Sequence, residues 1–206
     1  MATSASPSER LLVLATANRA KGRELAAMLA DLPCRVQDLS AFPGVVLPPE
    51  GESSYAENAL GKARAVTAAT GALALADDSG IEVDALGGGP GVLSARYGGL
   101  GLTDPERNAL MLRELAGVPA ERRTARYRAV IAVTAPDGRE AAVEGTVEGV
   151  VLEAPRGAGG FGYDPLFYYP PLGATFAEIT AEAKHAVSHR GRAMAGAREL
   201  LRRWAG

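Results

Sequence analysis

Short unbroken apolar runs alternate along the chain with stripes of helical spacing. Leu11-Leu12-Val13-Leu14-Ala15 is followed by the polar turn Thr16-Ala17-Asn18, the pattern of a buried strand of parallel type. From Arg19 the period changes. Leu25, Met28, Leu29 and Leu32 mark one helical face, and Pro33 stops it. Residues 41–52 hold Pro43, Gly44, Pro48, Pro49 and Gly51 and predict a loop. Ser54 with Glu57 is a capping-box pattern for an alanine-rich helix ending near Gly71, with Ala59, Ala63 and Val66 as its packed face. Ala72 to Ala76 is a further buried strand running into Asp77-Asp78-Ser79-Gly80. Ile81, Val83 and Ala85 then alternate with Glu82 and Asp84, the pattern of a separate half-buried strand, which Gly87 to Gly91 break.

Thr103 and Glu106 form a second capping box, before a helix carrying Leu110, Met111 and Leu115. Tyr127, Ala129, Ile131 and Val133 alternate with arginines, and Pro136-Asp137-Gly138 signals a turn, so residues 124–152 predict an antiparallel hairpin. A glycine-rich stretch, 155–165, precedes a short helix near 178–187. A longer helix near 190–204 carries a stripe of Ala193, Ala197, Leu200, Leu201 and Trp204. Strands separated by helices, with one long hairpin, predict an α/β fold with a mixed central sheet and flanking helices. With no repeat and no linker, residues 10–206 read as one domain behind a loose polar tail, 1–9.

Composition narrows the function classes. Lys plus Arg number 22 against 24 Asp plus Glu, a net charge of −2, and aromatic residues are 5%. Near-neutral charge argues against a duplex-DNA binder, and few aromatics argue against a single-strand stacking platform. The lone Cys34 builds neither an internal disulfide nor a thiolate cage and reads as a small core residue. The start lacks a basic segment ahead of a long apolar run, which points to a cytoplasmic protein off the membrane.

Five segments carry candidate chemistry. Asp77-Asp78-Ser79-Gly80 sets two carboxylates at the apparent carboxyl end of a strand, where open α/β sheets bind ligands and where a hard divalent cation would find oxygens. A solvated turn fits the same residues. Thr16, Asn18 and Lys21 frame a strand-to-helix turn whose N–H groups suit a phosphate, although Asn18 also reads as a plain N-cap. Lys62 shares a helix face with Asn58 and reads as an anion contact or a solvated lysine. Phe161, flanked by Gly160 and Gly162 and followed by Tyr163 and Asp164, offers an exposed ring for a nucleobase, or else a core phenylalanine. Ser188-His189-Arg190 at a helix start supplies donors for a base edge, or a cap with two surface neighbours. From Lys184 to Arg203 six basic residues face one acid, Glu199, which fits a solvated helix face or attraction for phosphate.

In this order the segments resemble the inosine triphosphate pyrophosphatase, or Ham1-like, family. The resemblance runs from about Leu11 to Trp204 and rests on six stretches: Thr16 to Lys21; Tyr55 to Ala59 with Lys62-Ala63; Ala76 to Gly80; Leu86-Gly87-Gly88 with Pro90-Gly91 and Ser94 to Tyr97; Gly160 to Pro165; and Ser188 to Gly191. It implies two lobes around a central cleft, a homodimer, and Mg²⁺-dependent hydrolysis of ITP, dITP and XTP to the monophosphate and pyrophosphate. It implies that Thr16, Asn18, Lys21 and Lys62 hold the triphosphate. Asp78 would be metal ligand and general base beside Asp77, with Glu50 as a second acidic metal ligand and Ser79 touching substrate. Phe161 would stack on the purine, and Gly162, Tyr163, Asp164, Lys184, His189 and Arg190 would line the base and sugar end. One departure is Ala17, where the family usually has glycine. A methyl there would crowd a phosphate or demand a negative φ. The resemblance leaves two rivals: a Maf-type pyrophosphatase of other base preference, against which Phe161 and His189-Arg190 speak, and a nucleotide- or RNA-binding module without catalysis, for which a bare Asp77-Asp78 pair has no use.

Overall fold

The computed structural model describes residues 10–205; the expected tail, 1–9, lies outside them. Seven strands form one mixed sheet in the order β2-β1-β3-β4-β5-β6-β7. β1 (Arg10–Leu14) pairs in parallel with β2 (Cys34–Asp38) on one side and β3 (Leu73–Val83) on the other. β4 (Thr124–Thr134) and β5 (Glu140–Val151) form the expected hairpin, and β6 (Phe167–Tyr169) and β7 (Ala174–Thr175) finish the antiparallel half. α1 (Arg19–Leu29) leads from β1 to β2, and α2 (Tyr55–Thr70) leads on to β3. Strand order therefore reverses at β1, and the crevice beyond its carboxyl end is where such sheets bind ligands.

Two layers cover the sheet. On one face Leu12, Leu14, Leu73 and Leu75 pack with Leu25 and Leu29 of α1 and with Ala193, Ala197 and Leu201 of α5 (His189–Ala205). On the other, Val13, Ala74 and Ala76 meet Ala59, Ala63 and Val66 of α2. A third cluster, around Ile81, Val83, Tyr127 and Phe167, extends under α3 (Asp104–Glu114). Each fully buried Leu or Ile contributes about 1.5–3 kcal/mol, so the three clusters carry most of the fold's stability.

Capping follows the sequence with one shortfall. Thr103 and Glu106 close a complete box at α3, whereas at α2 Ser54 Oγ accepts from the Glu57 N–H with no return bond. Gly71, at φ +63°, ends α2 in the left-handed turn that glycine adopts without penalty. Helix α4 (Ala181–Val187) starts three residues later than the sequence suggests, behind its cap Thr180.

The largest correction concerns Asp77-Asp78-Ser79-Gly80. It does not end a strand: β3 runs unbroken to Val83, and Ala85 falls in the following turn. The strand continues because β4 pairs with it antiparallel to Val83↔Ala125, while β1 stops opposite Leu75. The acidic pair thus lies within β3 where one neighbour has ended, which opens the crevice from the side. Gly80 is required there, since a Cβ would stand 2.1 Å from the Gly91 carbonyl oxygen.

Candidate active site

Neighbouring residues on a strand point to opposite faces, so Asp77 and Asp78 do not act as a pair. Asp77 faces α1 and α5. Its carboxylate meets Lys21 Nζ at 2.8 Å and accepts from Arg190 Nε and a second Arg190 nitrogen at 3.3 Å, with Ser79 Oγ at 3.1 Å. Burial alone would raise its pKa, but the Arg190 and Lys21 charges outweigh that and hold it well below the carboxylate range. Asp78 faces α2. Lys62 Nζ stands 3.2 Å from its Oδ1, and Asn58 Nδ2 donates to Oδ2 at 3.0 Å. There burial dominates and pushes the pKa up, with Lys62 and Lys21 opposing.

Asn58 and Lys62 share a face of α2 as expected, and both are buried. Lys62 Nζ also reaches Glu50 Oε1 at 2.6 Å and the Asp77 carbonyl at 2.9 Å. Its burial favours the neutral amine, but Asp78 and Glu50 overcome this and keep it charged. Glu50, from the proline-rich loop, and Asp78 thus converge on one ammonium. Two carboxylates that share a cation this closely also suit a divalent metal completed by phosphate oxygens and water. Among the described residues no cluster of three or more acidic, histidine or cysteine ligands that could hold a metal ion is present.

The turn after β1 caps α1 through Asn18 Oδ1, which accepts from the Ala20 and Lys21 N–H groups. Thr16 Oγ1 accepts from the Asn18 N–H and borders the adjoining groove between α1 and β2, which Asn18 shares. Every described non-glycine residue has negative φ, Ala17 included, and Ala17 is exposed, so its methyl strains nothing. Asn18, Lys21 and Ser79 line one cavity together with Phe161, Gly162, Tyr163, Lys184, His189 and Arg190, and Arg190 donates to Ser79 Oγ at 3.0 Å.

The surroundings of Phe161 are built from buried charge. Arg190 and Lys184 are buried, so these two do not belong to a solvated helix face. Arg192, Arg198, Arg202 and Arg203 of the same stretch bond carbonyls or acids nearer the surface. Ser188 Oγ accepts from the Gly191 N–H and starts α5, and Gly145 lets the helix sit on β5, since a Cβ would stand 2.2 Å from the His189 carbonyl oxygen. Lys184 Nζ donates to Asp164 Oδ2 at 2.6 Å and to Glu24 Oε1 at 2.9 Å, and Arg190 reaches Glu24 Oε2 at 2.5 Å. Asp164 also accepts from the Phe161 N–H and fixes the glycine-rich loop. Phe161 is half-buried beneath two cations, with Lys184 Nζ 4.7 Å and Arg190 Cζ 5.6 Å from its ring centroid. His189 stacks on Tyr127 at 4.6 Å, and its Nδ1 has no partner.

Sequence reasoning missed Glu24, which resembles any helical surface acid, and the α3 contacts to the loop. Asp104 accepts from the Gly162 N–H at 2.7 Å, and Asn108 donates to the Gly162 carbonyl. As the first residue of α3, Asp104 carries only the signal of a capping acid.

One prediction follows from His189. Burial, then the Arg190 charge, holds its pKa well below the usual value of 6.5. The folded protein therefore binds fewer protons than the unfolded chain at mildly acid pH. Stability should be full above pH 6.5 and fall below it by up to about 1.4 kcal/mol per pH unit. Urea titrations between pH 7.5 and 5 should show that slope in the wild type and a shallower one in His189→Asn; equal slopes would refute it.

The sequence profile of the Ham1 family matches residues 12–200. A dITP/XTP pyrophosphatase of Thermus thermophilus is 54% identical over 183 residues, 89% of this chain and 87% of its own. One from Desulforamulus reducens is 50% identical over 192 residues, covering 93% and 96%. The solved Ham1 protein of Staphylococcus aureus superposes with a TM-score of 0.82 at 34% identity, covering 94% of this chain and 98% of its own.

Proposed function

The chain belongs to the Ham1 family, and from that premise we propose that it hydrolyses dITP, ITP and XTP to the monophosphate and pyrophosphate. The enzyme is a hydrolase of the triphosphate anhydride, and its role is to remove non-standard purines from the nucleotide pool. The observation that carries this reading is a single cavity that joins a helix N-terminus with Lys21 to a ring and cation pocket at Phe161, Lys184 and Arg190.

A purine would stack on Phe161 with its 6-keto group toward the buried donors, which adenine's amino group does not satisfy. A site built for such a bond rejects the analogue lacking it by about 10⁴-fold. Asn18, Lys21 and the N-terminus of α1 would receive the phosphates, with Thr16 beside them and Lys62 on the far side of β3. Asp78 would take a proton from the attacking water as its oxygen bonds to the α-phosphorus. The bond to the bridging oxygen then breaks, and pyrophosphate leaves with the electron pair. Asp77 would hold Lys21 and Arg190 in place from the opposite face. Glu50 and Asp78 would hold Mg²⁺, which, when bound, neutralises phosphate charge. Homodimer formation and a cytoplasmic location belong to the same proposal. Among the described residues no helix is long and apolar enough to cross a membrane.

The test is pyrophosphate release by the purified protein with Mg²⁺, comparing ITP and XTP with ATP and GTP. Strong release from the first two alone supports the reading; tight ITP binding without release favours a sensor instead. Phe161→Ala should raise KM for ITP by about 10-fold or more with little change in kcat, since stacking on an aromatic ring is worth ~1–3 kcal/mol per base. An unchanged KM would remove the ring from the site.

A further inference from the structure

The α3 wall of the cavity carries a charge that the scheme above does not use. Arg107 sits one turn into α3 and lines the cavity together with Phe161 and Tyr163. Its side chain is only 12% exposed. One of its terminal nitrogens donates to the Leu102 carbonyl, and Asp104 lies at 3.8 Å, the outer limit of an ion pair. Its Nε is enclosed by protein, while its second terminal nitrogen forms no hydrogen bond and is not enclosed. A largely buried guanidinium with a terminal donor lacking an acceptor is costly, and at the wall of a ligand cavity it marks a place for an acceptor from the ligand.

Besides Lys21, the cavity holds Lys184 and Arg190, which come from α4 and α5 and approach the Phe161 ring. A planar base on that ring would thus meet donors from two separate elements. Purines differ in what they offer beyond the 6-keto group. Xanthine carries a second keto acceptor at C2, hypoxanthine only a hydrogen there, and guanine an amino donor. We infer that Arg107 reads the purine C2 position, attracting the 2-keto group of xanthine and opposing the 2-amino group of guanine. The assignment rests on the proposed function and extends it to the discrimination that a 6-keto contact alone does not supply. Donor set against donor is also the repulsive element that specificity against a close analogue requires.

The test is kcat/KM for pyrophosphate release from XTP, ITP and GTP by the wild type and by Arg107→Met. The variant should lose about 10–100-fold on XTP, the range of a charge-assisted hydrogen bond, keep most of its activity on ITP, and show a raised GTP-to-XTP ratio. Equal losses on XTP and ITP, or none on XTP, would overturn the inference. Should Arg107→Met fail to fold, Arg107→Gln keeps the length without the charge, and its XTP-to-ITP ratio must fall likewise; an unchanged ratio sinks the idea. A wild type that releases pyrophosphate from no purine triphosphate overturns the functional reading and this inference together. A normal ITP activity with an unaltered ratio overturns this inference alone.

Discussion

Asp78→Asn is expected to cut pyrophosphate release from ITP by about 10³-fold, the scale of a lost general base, while the protein melts at or slightly above the wild-type temperature. Both halves follow from the same environment. Burial makes the charged carboxylate costly and raises its pKa, so a neutral group of the same shape relieves that cost. Lys62 keeps Glu50 and the Asp77 carbonyl, so the substitution leaves no orphaned ammonium. Steady-state kinetics with a thermal melt read both numbers. Near-normal turnover would remove Asp78 from the chemistry, and a large drop in melting temperature would make it a structural residue.

The neighbouring substitution should behave in the opposite way. Asp77→Asn is expected to cost ~3 kcal/mol of stability, roughly 10 °C in melting temperature for a chain of this size. Asp77 answers both Lys21 and Arg190, and Arg190 is buried almost completely. Glu24 still faces Arg190 in the variant, which sets the loss at the lower end for a broken buried ion pair. The pH dependence carries a sign. Because the folded pKa lies below the ordinary 3.8, the carboxylate stabilises the wild type fully above that value and loses this as pH falls through and below it. The gap between variant and wild type should therefore narrow below about pH 4, as melts at pH 7 and pH 3.5 would show. Equal melting temperatures at pH 7 would refute the role.

These adjacent residues show where sequence reading stops. Two carboxylates on consecutive strand positions were visible as a motif, and their chemistry was inferred jointly. Their separation onto two faces depends on β3 continuing past them. That continuation is imposed by β4, whose partner residues lie some fifty positions away in sequence. Glu24 makes the same point. Nothing near it in sequence distinguishes it from a solvated helix acid, yet packing of α1 against α4 and α5 places it between Lys184 and Arg190.

What the sequence determined by itself was local. Buried runs and helical stripes set the strands and helices, because the periodicity of apolar side chains follows backbone geometry directly. Proline, glycine and capping residues set most element ends, because they act on their own turn. The motifs also named most of the residues around the cavity. The tertiary structure alone decided which face each carboxylate serves, that Lys62 is shared by Glu50 and Asp78, that Arg190 and Lys184 are buried, and that Arg107 looks into the cavity. Those facts arise from contacts between segments far apart in the chain, where burial changes the cost of a charge and only the assembled neighbours determine its partner.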